Sequence, residues 1–246
     1  MVILLTSNSC WNLYNFRYDL IKELNKKHTV IIVAPYDKYL KKLINKNIFF
    51  SSIVLKKNKK SIISDFICLI QYFLIIKKYK PDYLIAYTIK PNIYASIASL
   101  FSKTKTINNI TGLGSTLLKN NFFTKLIFLF YKIAFRNSYK VIFQNIDDKE
   151  LFIKKKISYE KNSTLISGSG ININNFLKYQ YPKNKIFTFL YNGRLIKDKG
   201  VIEYIEAAHI VKKKYKEIKF IIMGSYDVNN PNSIKKTYLK KNIPKE

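Results

Sequence analysis

From its first residue the chain alternates short runs of β-branched and aromatic residues with longer runs of helical period, a rhythm that restricts it to a parallel sheet flanked by helices. Strands are predicted at residues 2–6, 29–34, 48–55, 83–87, 105–110, 140–143 and 163–166. Helices are predicted between them at 14–27, 38–45, 61–78, 92–101, 122–135 and 147–154. The expectation is an α/β, doubly wound, Rossmann-like domain over residues 1–171 with strand 2–6 central. Residues 172–185 mix Asn, Lys and Tyr with one Pro and no sustained period, and read as a linker. A second α/β unit, 186–246, opens with a strand at 186–191, read as buried, and continues with a helix from about 198, a strand at 218–223 and a helix near 233–241.

In a parallel sheet, ligands gather beyond the carboxyl ends of the strands, so the loops there carry the functional signal. After the first strand come Ser7, Asn8 and the single tryptophan, Trp11, in a polar turn that precedes a helix opening near Asn15. Trp11 there is either a stacking platform for a sugar or lipid, or an aromatic that seals the core. After the fourth strand, Pro91 suits a helix start, which leaves Lys90 facing a cleft. After the fifth, Thr111, Gly112, Gly114 and Ser115 form a glycine-rich loop able to expose backbone N–H groups. It lacks the spacing of a dinucleotide fingerprint or a phosphate-binding P-loop, so neither nicotinamide binding nor ATP hydrolysis follows.

The strongest candidate site is at residues 186–200. An apolar run stops at Asn192-Gly193, where Gly193 is expected to supply a permissive backbone, and Arg194 and Lys199 flank a helix start with Asp198 as its N-cap. A phosphate there would meet two cations and the positive end of a helix dipole. A solvated strand–turn–helix has the same spacing.

Composition narrows the classes. A hydrophobic share of 48% in 246 residues is enough for substantial cores, so this is no disordered tail. Cys10 and Cys68 stand far apart in apolar surroundings without metal-type spacing, which points to a reducing compartment. His28 and His209 are isolated, and no metal site is expected. The net charge of +29, from 44 Lys+Arg against 15 Asp+Glu, is large enough to attract nucleic acid or an anionic membrane. An AT-rich coding bias yields the same Lys, Asn, Ile, Tyr and Phe mixture. The lysines are spread along the whole chain and no familiar nucleic-acid motif is present, so nucleic acid is not the expected partner. Met1 leads directly into a strand rather than a signal peptide. The run 62–76, with Asp65 and Gln71 inside it, falls short of the roughly 20 residues a bilayer span needs. Helix 122–135 is apolar nearly all round and fits either a buried element or one lying on a membrane.

Asn192-Gly193-Arg194-Leu195, Lys199-Gly200-Val201 and Glu206-Ala207-Ala208 together resemble the donor-site segment of retaining GT-B-fold glycosyltransferases of family GT4. Thr88–Asn92 and the 111–115 loop resemble the corresponding loops of bacterial surface-polysaccharide members. The resemblance implies that Arg194 and Lys199, beside Gly193, hold the diphosphate of a nucleotide-sugar donor, with UDP the expected nucleotide. It implies donor-facing glycine loops at Gly170 and Gly224, an acceptor bound in the first domain, and catalysis without a metal or other cofactor. It further implies a polyprenyl-diphosphate-linked glycan acceptor and a cytoplasmic protein in peripheral contact with the inner face of an anionic membrane. The catalytic residue is left unassigned, because neither histidine matches a family position.

Family members continue with about six strands in the second domain and an acidic pair that binds the donor, whereas this chain supplies two convincing strands and no such pair. A chain truncated in its C-terminal domain, with little transfer of its own, is therefore expected. The alternatives are a polyanion-binding basic protein and a GT-B-fold sugar-nucleotide epimerase.

Overall fold

A computed structural model describes residues 1–44, 47–55, 62–114, 121–176, 186–226 and 232–243. The chain divides into two compact units, Met1–Phe176 and Leu177–Glu246.

The first unit is one seven-stranded sheet of β1 (Val2–Thr6), β2 (Thr29–Ala34), β3 (Ile48–Ser52), β4 (Tyr83–Tyr87), β5 (Lys105–Ile110), β6 (Lys140–Phe143) and β7 (Ser163–Leu165). All are parallel, in the order β3-β2-β1-β4-β5-β6-β7. β4 occupies the middle, so β1 is interior but not central, a correction to the sequence expectation. The order reverses between β1 and β4, where chain direction across the sheet changes sign.

Period-two alternation decides which helices cover which face. Ile3 and Leu5 of β1 pack with Leu13 and Ile21 of α1 (Cys10–Asn25) and with Leu40 and Leu43 of α2 (Leu40–Leu43). Leu4 points the other way, into a core shared with α3 (Ile62–Tyr79) and α4 (Ile89–Ser99). That second face continues across α5 (Phe122–Ala134) and α6 (Ile146–Lys154), where Phe128, Tyr131, Phe143 and Phe152 interlock edge to face. α5 is half buried: Thr124, Phe128, Tyr131 and Ala134 face inward, while Leu129, Phe130 and Ile133 remain exposed.

α1 starts at Cys10, earlier than the periodicity suggested. Ser9, in extended backbone, accepts from the Asn12 N–H through its hydroxyl at 3.2 Å, and this side-chain cap recruits Cys10–Asn15 into the helix. α4 likewise begins at Ile89, ahead of its predicted start, with Pro91 inside the first turn, where a missing N–H costs nothing.

In the second unit, β8 (Thr188–Asn192) and β9 (Lys219–Met223) form a parallel pair. α7 (Val201–Lys214) packs on one face through Val201, Ile205 and Ala208, joined by Leu239 of α8 (Lys236–Asn242). Tyr204 of α7 donates to the carbonyls of Phe189 and Ile221, both at 3.0 Å, and ties the helix across the two strands. The first strand was read as buried, but Phe189 and Leu190 are exposed, as are Ile221 and Met223 of β9. A run of apolar residues records the tendency to be covered, whereas the described residues place a helix on one face only.

Candidate functional site

Because every strand of the first unit is parallel, the loops after β1, β4, β5, β6 and β7 emerge at one edge of the sheet. Ser7, Asn8, Thr88, Thr111, Gly112 and Gly170 all lie in these loops, and Gly114, which follows Thr111–Leu113, is helical. Ser115 lies outside the described residues.

The loops differ in how firmly they are held. Ser7 is fully buried and donates its hydroxyl to Asn12 Oδ1 at 2.9 Å, so it braces the start of α1. Asn8 is half-buried and accepts from the Ser9 hydroxyl at 3.3 Å. Trp11 belongs to the first turn of α1 rather than to a loop. It is 43% exposed, its ring lies near-perpendicular to that of Phe16 at 5.6 Å, and its backbone N–H donates to Asp37 Oδ2 at 3.0 Å. An indole this exposed does not seal the core.

Thr88 takes φ of 67°, a conformation that costs a β-branched residue strain, and its hydroxyl is buried without a partner. Lys90 was expected to face a cleft, but its ammonium pairs with Asp65 of α3 at 2.7 Å with both side chains about three-quarters buried. The carboxylate on α3 claims the lysine because a helix that starts at Ile89 carries residue 90 towards α3. Gly112 (φ 126°) and Gly114 (φ 68°) adopt backbone that other residues resist, with open space around each, and Leu113 between them is buried as the anchor of the loop. Gly170 (φ 72°) sits in an exposed loop fastened to the β6 loop by Gln144, which donates to Ser169 Oγ at 3.2 Å.

Arg17 was not singled out by sequence. It sits at 7% exposure with its guanidinium over the Tyr87 ring, Nη1 donating to the Phe16 carbonyl at 3.1 Å and Nε without a partner. The signal was present, since Leu13, Arg17 and Ile21 recur four residues apart and place an arginine on the buried stripe of α1.

In the second unit, Leu195 and Ile196 are buried while Arg194 and Lys199 on either side are exposed. The segment is braced from behind: Lys197 N–H donates to the Asn232 carbonyl at 2.9 Å, Ile234 N–H to the Leu195 carbonyl at 2.9 Å, and the Asn232 amide to both oxygens of Asp198. Asp198 is therefore not the helix cap. It lies in a 3-10 turn, Lys197–Lys199, and α7 is entered through Gly200 in left-handed backbone (φ 74°). Glu203 stands in the first turn of that helix, where a carboxylate complements its positive end.

Gly193 does not take positive φ, so it is not a permissive hinge. Its role is proximity. A Cβ on Gly224 would run into the Gly193 carbonyl oxygen, and Gly193 N–H donates to the Met223 carbonyl at 3.1 Å, so the two glycines let the strand ends close on each other. His209 is engaged elsewhere, its Nε2 2.7 Å from the Asn242 carbonyl of α8.

This edge of loops on a doubly wound sheet, with a cation-bearing strand–turn–helix in a second α/β unit, defines a class that comparison makes specific. The chain belongs to the family described as Glycosyl transferase 4-like, which it matches over residues 2–145. It is 26% identical over 223 residues to the capsular polysaccharide biosynthesis glycosyltransferase CapM of Staphylococcus aureus, covering 85% of this chain and 58% of CapM. Among solved structures it resembles Anabaena HepE in complex with UDP and glucose, at TM-score 0.64 and 15% identity, over 89% of this chain and 60% of that one. It also resembles the UDP-GlcNAc 2-epimerase of Neisseria meningitidis bound to UDP-GlcNAc, at TM-score 0.59 and 15% identity, over 90% of this chain and 65% of that one. At these identities the two structures share the fold. The family match sets the chain among the Glycosyl transferase 4-like proteins, and the chain spans less than two thirds of the length of CapM.

Proposed function

We propose that this chain is the acceptor-side domain and the beginning of the donor-side domain of a retaining glycosyltransferase. It moves a sugar from a nucleotide sugar, UDP-linked, to a polyprenyl-diphosphate-linked surface glycan at the inner face of an anionic membrane. The observation that carries the reading is the match to CapM across both units of the chain.

In this reading the acceptor sits against the loop edge of the first unit, among Asn8, Trp11, Thr111, Gly112 and Gly114. The donor diphosphate is held by Arg194 and Lys199, with Gly170 and Gly224 on donor-facing loops. As the bond from sugar to diphosphate breaks, negative charge grows on the leaving oxygen. Two cations on a braced, exposed loop stabilise that charge more than they stabilise the ground state, and no metal or cofactor is needed for that step. The epimerase reading shares the fold, but the family and CapM favour transfer.

The chain covers 58% of CapM, so complete turnover is assigned to a protein that has a whole second domain. The test has two parts. Titrating UDP into the 246-residue chain should shift the amide resonances of residues 193–200, and Arg194→Ala or Lys199→Ala should each weaken binding by about ten-fold or more, the worth of one charge-assisted hydrogen bond. In a protein with a complete second domain, each substitution should lower turnover by about ten- to thousand-fold. Unchanged UDP affinity in both variants sinks the diphosphate assignment. Conversion of the donor sugar with no acceptor present makes the enzyme an epimerase.

A further inference from the structure

α3 is apolar on two opposite faces, and the core uses one of them. Ser64, Cys68, Tyr72 and Ile76 form the inward stripe, where the Tyr72 hydroxyl shares a 2.6 Å hydrogen bond with Thr6 of β1. The outward stripe is Ile63, Phe66, Ile67, Ile70 and Leu74, spaced three and four residues apart and exposed at 75%, 62%, 42%, 43% and 56%. Phe73, 44% exposed, borders a groove between α3 and α4 that Ile97 and Ala98 line from the other side. Phe101, 82% exposed, stands at its rim. Exposed apolar side chains gathered in this number on one helix mark an interaction surface rather than the scatter found on any protein.

The charges around the patch select its occupant. Lys77 continues the outward stripe by helical period, Lys78 and Lys80 follow it, and Lys103 lies two residues beyond Phe101, all exposed. The one carboxylate of α3, Asp65, is neutralised by Lys90. A second copy is disfavoured, because each chain carries +29 and the patches repel. An anionic bilayer meets both requirements, accepting the apolar stripe into the acyl boundary while the lysines reach its headgroups. Among the described residues no helix is long and apolar enough to cross a membrane, so α3 would lie in the interface plane.

We propose that the outward face of α3, with Phe73 and Phe101, is a docking surface for an anionic lipid bilayer. It gives the membrane contact proposed above a location on α3 rather than on α5, the helix the sequence singled out. It rests on exposure and charge, independently of sugar transfer.

The test is co-sedimentation of the 246-residue chain with vesicles of equimolar phosphatidylglycerol and phosphatidylcholine, and with vesicles of phosphatidylcholine alone. The expected result is binding to the anionic vesicles that weakens with salt, and about a hundred-fold loss in Phe66→Ser/Ile70→Ser/Leu74→Ser, whose side chains are exposed and whose circular dichroism should be unchanged. Lys77→Glu/Lys78→Glu should lose the preference for phosphatidylglycerol. Absence of binding by the wild-type chain, or equal binding by the triple variant, overturns the proposal. So does concentration-dependent self-association that the triple variant abolishes while vesicle binding stays, since the patch would then belong to a second copy. UDP titration of the same samples separates the two readings: vesicle binding without UDP binding sinks the donor site alone, and the reverse sinks this surface alone.

Discussion

The Arg17 guanidinium lies 4.3 Å from the centre of the Tyr87 ring, buried, and no carboxylate among the described residues forms an ion pair with it. Desolvation lowers its pKa below the usual arginine value, and Tyr87 opposes that shift. The same burial pushes the Tyr87 phenol up to about 12. A ring face returns up to about 2 kcal/mol to a desolvated cation, whereas leaving water costs several. Arg17→Met keeps the aliphatic stem and removes the charge, so it should raise stability by about 1–2 kcal/mol in urea denaturation. Tyr87→Leu should lower it, because the cation then keeps its desolvation and loses its ring. A fall in the Arg17→Met midpoint would show that the ring contact outweighs the burial cost.

Gly224→Ala should destabilise the second unit by about 1–3 kcal/mol, since the new methyl meets the backbone carbonyl of Gly193, which cannot rotate away. Gly193→Ala should be milder, because the nearest atom to its new methyl is the Tyr191 hydroxyl at 3.2 Å, the end of a side chain that can shift. Faster amide exchange at 188–192 and 219–223 in the first variant than in the second is the expected readout. Equal effects would mean that the strand ends part easily.

Asn108 is fully buried and sits at the centre of a polar cluster. Its amide donates to Ser96 Oγ at 2.7 Å and Asn92 Oδ1 at 3.0 Å, and its carbonyl accepts from Ser138 at 2.8 Å. Asn108→Ala strands three buried polar groups and should cost about 3 kcal/mol or more, with a matching drop in the urea midpoint. A loss under 1 kcal/mol would mean that water replaces the amide.

Burial pushes the Cys10 thiol up to about 11 and the Cys68 thiol up to about 12, with Asp37 and Asp65 adding to the shift. Both should therefore stay protonated and inaccessible at pH 8, where a free thiol is partly ionised. An aromatic disulfide reagent should label neither cysteine in the native chain and both after denaturation. Rapid native labelling would show that α1 or α3 opens readily.

What the sequence determined is what depends on neighbours along the chain. Alternating apolar runs define a parallel α/β sheet, because strands of period two joined by helices have few other ways to bury both faces, and seven strands followed at the expected places. Parallel strands in turn put Ser7, Thr88, Thr111 and Gly170 at one edge without further information. Helix starts were less legible, since α1 begins where the Ser9 hydroxyl finds the Asn12 N–H and α7 where Gly200 turns left-handed, choices that hydrophobic period does not encode. Tertiary structure alone decided the contacts between residues distant in sequence. It gave Lys90 to Asp65, set Gly193 against Gly224, placed Arg17 over Tyr87, and left the outward stripe of α3 uncovered. An apolar residue records a tendency to leave water, and only the packed chain shows which of those tendencies its own core has met.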